Sequence, residues 1–269
     1  MKKLTILSIV STILFSFATF SYATVAVTCW FPPSWIQKSA QAKEITDAIS
    51  THSGLTIRPR IATNYPQILK AFSSDDQNIV YVGSFVQAII QARGLGTGLV
   101  QSVNGKELYS GVFVYPKDKN PEDLLSKYPE EIAYAKGASS GETCAMAATE
   151  GKAHLPTGNH RITCDAIKAG RAKGGFVKNW WWEANKEKYP ELAVYEVPGV
   201  SLVKNPDNVL TASKAVSPET SKKIAAAALA NKDVFGANKM KPFDTGSLEF
   251  SLALMQKGKI DPATYDWKL

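Results

Sequence analysis

The sequence has little of what metal centres, redox motifs and nucleic-acid surfaces are made from. It holds 3 cysteines and 3 histidines in 269 residues, with neither C-x-x-C nor H-E-x-x-H spacing, so no metal or cofactor is expected. Positive charge is present without clustering: 31 Lys and Arg face 24 Asp and Glu for a net charge of +7, scattered along the chain. A nucleic-acid partner needs a basic stripe, and none is expected here. No 20–50 residue repeat and no low-complexity segment occurs, which excludes solenoid architectures. Beyond residue 23 no apolar run approaches the roughly 18 residues of a membrane span, and Cys29 does not sit in an acylation box beside the hydrophobic run.

What the chain does have begins with a secretory pattern at residues 1–23. Lys2 and Lys3 precede an apolar run from Leu4 to Phe17, and Ser21-Tyr22-Ala23 forms a small-x-small cleavage site. Cleavage after Ala23 would give a soluble exported product of net charge +5, because only the two leader lysines are lost. In an oxidising compartment three cysteines leave one over if a bridge forms. Cys144 and Cys164, each in the first turns of an expected helix, are the expected disulfide, with three free thiols as the alternative.

Short β-branched runs alternate with helical patterns, which argues for an α/β fold. Strands are expected near 25–28, 55–62 and 79–82, with helices near 42–50, 66–72 and 85–92 between and after them. Strands near 99–103 and 108–115 flank Asn104-Gly105, a tight-turn dipeptide. Asn120-Pro121-Glu122-Asp123 then opens a helix with a cap, a proline and acids at the positive end of the dipole. A second α/β set follows, with strands near 132–135, 175–177, 194–197 and 209–212. With no Gly/Ser linker between the sets, two lobes joined by crossing strands are expected: 24–107 plus 213–269, and 108–212.

The most informative segment is Lys136-Gly137-Ala138-Ser139-Ser140-Gly141-Glu142-Thr143, a Gly/Ser-rich turn running into a helix. First-turn N–H groups together with Ser139 and Ser140 hydroxyls suit an anionic oxygen group. Ser84, after Gly83 at a strand end, offers a similar donor from the first set, so one anion could be gripped from both sides. The same letters satisfy G-x-S-x-G, the nucleophile turn of serine hydrolases. The only histidines beyond Ser139 are His154 and His160, and the acids between Ser139 and His160, Glu142 and Glu150, lie too close to the elbow helix to reach the far end of a sheet, which leaves a convergent arrangement using Asp165 as the remaining hydrolase form. An ordinary capped helix start is the third reading.

The order of motifs resembles the phosphonate-binding family of periplasmic solute-binding proteins, in the type 2 bilobed fold, over nearly all of the chain after the leader. Thr28-Cys29-Trp30-Phe31-Pro32-Pro33 is similar to its first strand and proline-containing loop, and Ala62-Thr63-Asn64-Tyr65-Pro66 to its tyrosine-started helix. Tyr81-Val82-Gly83-Ser84, Leu108 to Asp118, Lys136 to Thr143 and Asn159-His160-Arg161 follow in the same order. The resemblance implies a two-lobed binding protein, each lobe a mixed sheet flanked by helices. It would be a monomer rather than an enzyme, passing a small oxyanion to an inner-membrane ABC permease. A sensing or accessory protein of the same fold is the alternative. The resemblance also implies ligand contacts from Tyr65, Ser84, Ser139, Ser140, Thr143 and His160. One position departs: where the family typically has an acid, this chain has Lys178, which would repel an amine and favour a more highly charged anion.

Overall fold

The computed structural model describes residues 26–137 and 139–267, so the expected leader at 1–23 lies outside the described residues. Strand β1 (Val27–Phe31) is buried along almost its whole length, as expected of a strand covered on both faces. Helix α1 (Ser39–Ser53) turns Ala42, Ile45, Thr46 and Ile49 inward at helical spacing and stops at Gly54, whose φ of 71° suits glycine. Strand β2 (Ile57–Ile61) carries Pro59 where a sheet tolerates it, at an edge. Helix α2 (Tyr65–Phe72) begins where Asn64 accepts a hydrogen bond from the Gln67 N–H and Pro66 presets the first turn. Strand β3 (Asn78–Val82), helix α3 (Ser84–Ala92) and strand β4 (Gly96–Val103) complete this part.

The chain then crosses through β5 (Leu108–Tyr109) into β6 (Gly111–Pro116), α4 (Pro121–Lys127), β7 (Ile132–Ala135) and α5 (Ser140–Ala148). It continues through β8 (Leu155–Thr157), α6 (His160–Lys168), β9 (Gly174–Lys178), α7 (Asn179–Glu183) and β10 (Leu192–Tyr195). It returns by β11 (Asn205–Pro206) to β12 (Val209–Ser213), α8 (Pro218–Ala230), β13 (Lys239–Pro242) and α9 (Glu249–Lys257).

Two mixed sheets result. The first runs β13-β4-β12-β3-β1-β2, with β1 parallel to β2 and β3, and β12 antiparallel between β3 and β4. The second runs β10-β6-β9-β7-β8, with β7 parallel to β8 and β9, and β6 antiparallel to β9 and β10. A two-stranded ribbon, β5 against β11, joins them at the crossings.

Two expectations about the chain path change. The Asn104-Gly105 turn makes no hairpin, because β4 pairs with β12 and β13 while β5 pairs with β11. Residues 209–212, expected in the second set, lie in the first sheet, so the return crossing precedes Val209. Local pattern cannot distinguish these cases, since a buried strand reads the same in either sheet.

One hydrophobic cluster runs through both lobes. Phe85 and Ile89 of α3, Phe113, Tyr134 and Phe176 of the second sheet, Cys144 and Ala147 of α5, and Leu254 and Met255 of α9 all belong to it. Helix α9 therefore ties the first lobe to α5.

The expected disulfide is not formed: Cys29, Cys144 and Cys164 are free and buried. Cys144 clusters with Phe113, Tyr134 and Phe176, whereas Cys164 clusters with Val112, Val114, Ala133 and Val177. Those sets alternate along β6, β7 and β9, so the two thiols lie on opposite faces of one sheet. Burial pushes the Cys144 and Cys164 thiols up to about 12 and raises Cys29 as well, which makes all three poor nucleophiles.

Candidate functional site

A cleft of about 70 Å³ lies between the two sheets. Pro32, Ser34 and Trp35 line it from the loop after β1, Tyr65 from the start of α2, and Val82 and Gly83 from the end of β3. Ser139, Ser140, His160, Lys178 and Trp181 face them from the second lobe, while Tyr109, Asp207 and Asn208 come from the crossings. The C-terminal ends of parallel strands β1, β3 and β7 thus open onto one crevice, where α/β sheets hold ligands.

The serine turn is built as a helix start. Ser139 caps α5: its Oγ accepts from the Glu142 N–H at 3.1 Å and donates to the Ala135 carbonyl. Glu142 reaches back to the Gly137 N–H at 2.9 Å, a reciprocal arrangement that fixes the turn. Gly137 has φ of 109°, and a Cβ there would come within 2.5 Å of the Tyr65 Cβ. Glycine is required because the turn touches the opposite lobe at this point.

Helices α5 and α6 converge on the cleft by their N-termini. Ser140 Oγ and His160 Nε2 are 3.5 Å apart, and Asn159 caps α6 through the Ile162 N–H at 3.0 Å. His160 is buried, and its pKa is pushed down to about 3, first by burial and then by the neighbouring Lys178 ammonium. The imidazole is therefore neutral, and its Nδ1 is buried with no hydrogen-bond partner among the described residues.

This arrangement does not support the hydrolase alternative. Ser139 Oγ is committed to the cap, and among the described residues no carboxylate orients His160 through Nδ1. Asp165 instead pairs with Arg161 at 3.0 Å and accepts from the Tyr189 hydroxyl at 3.1 Å.

Of the residues expected at the site, Tyr65, Ser139, Ser140, His160 and Lys178 line the cleft together. Ser84 and Thr143 are fully buried beside it rather than lining it. The Ser84 hydroxyl bonds to Tyr109 at 3.1 Å and Ser251 at 2.7 Å, and Ser251 continues to Asn205 at 2.8 Å. That network fastens α3 and α9 to the crossing strands. Thr143 Oγ1 is buried without a partner among the described residues.

Sequence reasoning missed Tyr109 and Asp207. Both come from the crossings, where no periodicity or motif marks a functional residue. Lys178 forms an ion pair with Asp207 and stands 4.5 Å from the Tyr109 ring centroid. Of the Trp180-Trp181-Trp182 run, Trp182 is buried, Trp181 lines the cleft 5.8 Å from the His160 ring, and Trp180 donates to the Leu108 carbonyl at 2.9 Å. A short helix can turn only part of such a run inward.

A family model described as ABC transporter, phosphonate, periplasmic substrate-binding protein matches residues 36–247. Among solved structures, a protein of Prochlorococcus marinus in complex with methylphosphonate superposes with a TM-score of 0.63 at 14% identity, over 87% of this chain and 98% of that one. A binding-protein component of an ABC phosphonate transporter from Pseudomonas aeruginosa gives 0.66 at 15% identity, over 86% and 87%. A Xanthomonas citri protein bound to chloride gives 0.67 at 12% identity, over 88% and 98%. At such identities the likeness is one of fold. No curated protein matches the sequence.

Proposed function

The chain belongs to the family of periplasmic substrate-binding proteins of phosphonate ABC transporters, and from that premise we propose that it binds a small phosphonate-like oxyanion in the cleft and presents it to an inner-membrane permease. The observation that carries the reading is the convergence of the α5 and α6 N-termini, with Ser140 and His160 3.5 Å apart. Two sets of first-turn N–H groups, which have no partners within their own helices, then face one space. A neutral His160 supplies a hydrogen bond there without adding charge.

Ser140 and His160 on one side and Tyr65 on the other are the proposed ligand contacts, with Ser139 holding the turn as the α5 cap and Ser84 and Thr143 supporting the walls from behind. We take the lobes as residues 26–107 with 208–267, and 108–207, working as a monomer after removal of residues 1–23. The small cleft favours a compact tetrahedral anion over a bulky organic acid. No nucleic acid has a part in this reading.

Calorimetry of the leader-free protein against methylphosphonate, phosphite and phosphate tests it. At least one should bind saturably at one site per chain. Absence of heat and of thermal stabilisation with all three, at millimolar concentration, overturns the reading.

A further inference from the structure

We propose that Lys178 is a tethered ammonium filling a cation subsite inside the cleft, so that the protein selects oxyanions bearing a short uncharged substituent and rejects those that carry an amine. The inference rests on the oxyanion reading above and deepens it.

The Lys178 ammonium pairs with the Asp207 carboxylate, the side chains being 23% and 11% exposed. It also stands 4.5 Å from the centroid of the buried Tyr109 ring. A carboxylate beside an aromatic face is a receptor for an alkylammonium group. Here the chain's own side chain occupies it. The subsite is also tightly walled: a Cβ on Gly83 would meet Asp207 Oδ1 at 2.9 Å and the Tyr109 ring at 3.0 Å. The Asp207 backbone is fixed by the Gln101 side chain at 2.9 Å and by its own N–H on the Glu107 carbonyl at 2.8 Å.

Charge counting around the cleft gives the same selection. Lys178 and Asp207 cancel, burial keeps His160 neutral, and burial with Asp207 nearby holds the Tyr65 and Tyr109 phenols protonated. Lys178 therefore offers no spare positive charge, which revises the expectation that it would favour more highly charged anions. A ligand amine would have to displace Lys178 from Asp207 and leave a cation unpaired beside it.

Calorimetry with methylphosphonate and 2-aminoethylphosphonate provides the test, on the leader-free wild type, Lys178→Met, and the double variant Lys178→Met with Asp207→Asn. The wild type should prefer methylphosphonate by about 100-fold or more. Lys178→Met should lower that ratio at least about 10-fold by gain of 2-aminoethylphosphonate binding, and the double variant should lose the gain. Wild-type affinities within about threefold of each other, or an unchanged ratio in Lys178→Met, overturn the inference while leaving the oxyanion reading intact. If Lys178→Met does not fold, the wild-type ratio alone decides. Failure of the wild type to bind either ligand overturns this inference, and the oxyanion reading falls with it only if phosphite and phosphate are silent as well.

Discussion

Ser139 and Ser140 are adjacent, yet the structure gives them different work, and separate alanine variants should separate stability from binding. Ser139→Ala removes the cap that accepts from the Glu142 N–H at 3.1 Å, together with the bond to Ala135. Loss of such a cap costs about 1 kcal/mol of stability. In a chain of this size that lowers Tm by about 2–4 °C. Among the described residues the Ser140 hydroxyl makes only a long 3.5 Å contact, with His160, and it faces the cleft. Its replacement should leave ligand-free Tm within about 1–2 °C, since a site free of strong internal bonds changes stability by less than about 0.5 kcal/mol. A hydroxyl bonded to a charged oxyanion contributes about 1.5–3 kcal/mol. Ser140→Ala should therefore weaken methylphosphonate binding by about 10-fold to 100-fold. Thermal unfolding without ligand and calorimetry with it measure the two effects independently. An unchanged dissociation constant in Ser140→Ala, or an unchanged Tm in Ser139→Ala, would refute the division of roles.

His160 supplies a pH dependence whose sign follows from its lowered pKa. The unfolded chain takes up a proton near 6.5 while the folded imidazole resists until about 3, so stability is fully present above about 6.5 and is lost as pH falls through that window. His160→Asn should accordingly shrink the difference in Tm between pH 7 and pH 4.5, and an undiminished difference would remove His160 as its source. The buried thiols should take three equivalents of alkylating label after denaturation without reductant, and none in the native state; one equivalent on the denatured oxidised protein would restore the Cys144–Cys164 bridge. Tyr265 donates to Glu142 at 2.5 Å and accepts from the Gly137 N–H at 3.1 Å, while its carbonyl is held by Arg93. Tyr265→Phe should weaken methylphosphonate binding about fivefold through a looser serine turn, corresponding to about 1 kcal/mol; calorimetry showing wild-type affinity would confine Tyr265 to a bracing role. Gly137→Ala should weaken binding more than either serine variant, because its Cβ meets Tyr65 at 2.5 Å; equal affinity in that variant would show that the turn and Tyr65 do not meet in the liganded state.

Much of the fold could be read from local chemistry. Asn64-Tyr65-Pro66, Asn120-Pro121 and Ser217-Pro218 each combine a side-chain cap with a proline preset for the first turn, and each begins a helix. The buried strands 79–82 and 132–135 announce themselves as apolar runs between helical patterns. The serine turn was equally visible, because small hydroxyls and glycines before a helix have few other uses. The short strands β8, β11 and β13 were not visible, since each carries a proline and none has an apolar run, and the pairing of β5 with β11 leaves no local signal.

The sequence by itself determined the α/β class and the capped helix starts, the serine turn before α5 among them. These depend on interactions within a few residues, which local pattern records. Tertiary structure alone decided which sheet receives residues 209–213, which face each cysteine takes, and that Lys178 meets Asp207 29 residues away. Such pairings are set by the packing of whole layers. A strand slipped by one residue, or a crossing made one strand later, would reverse them without altering any local signal.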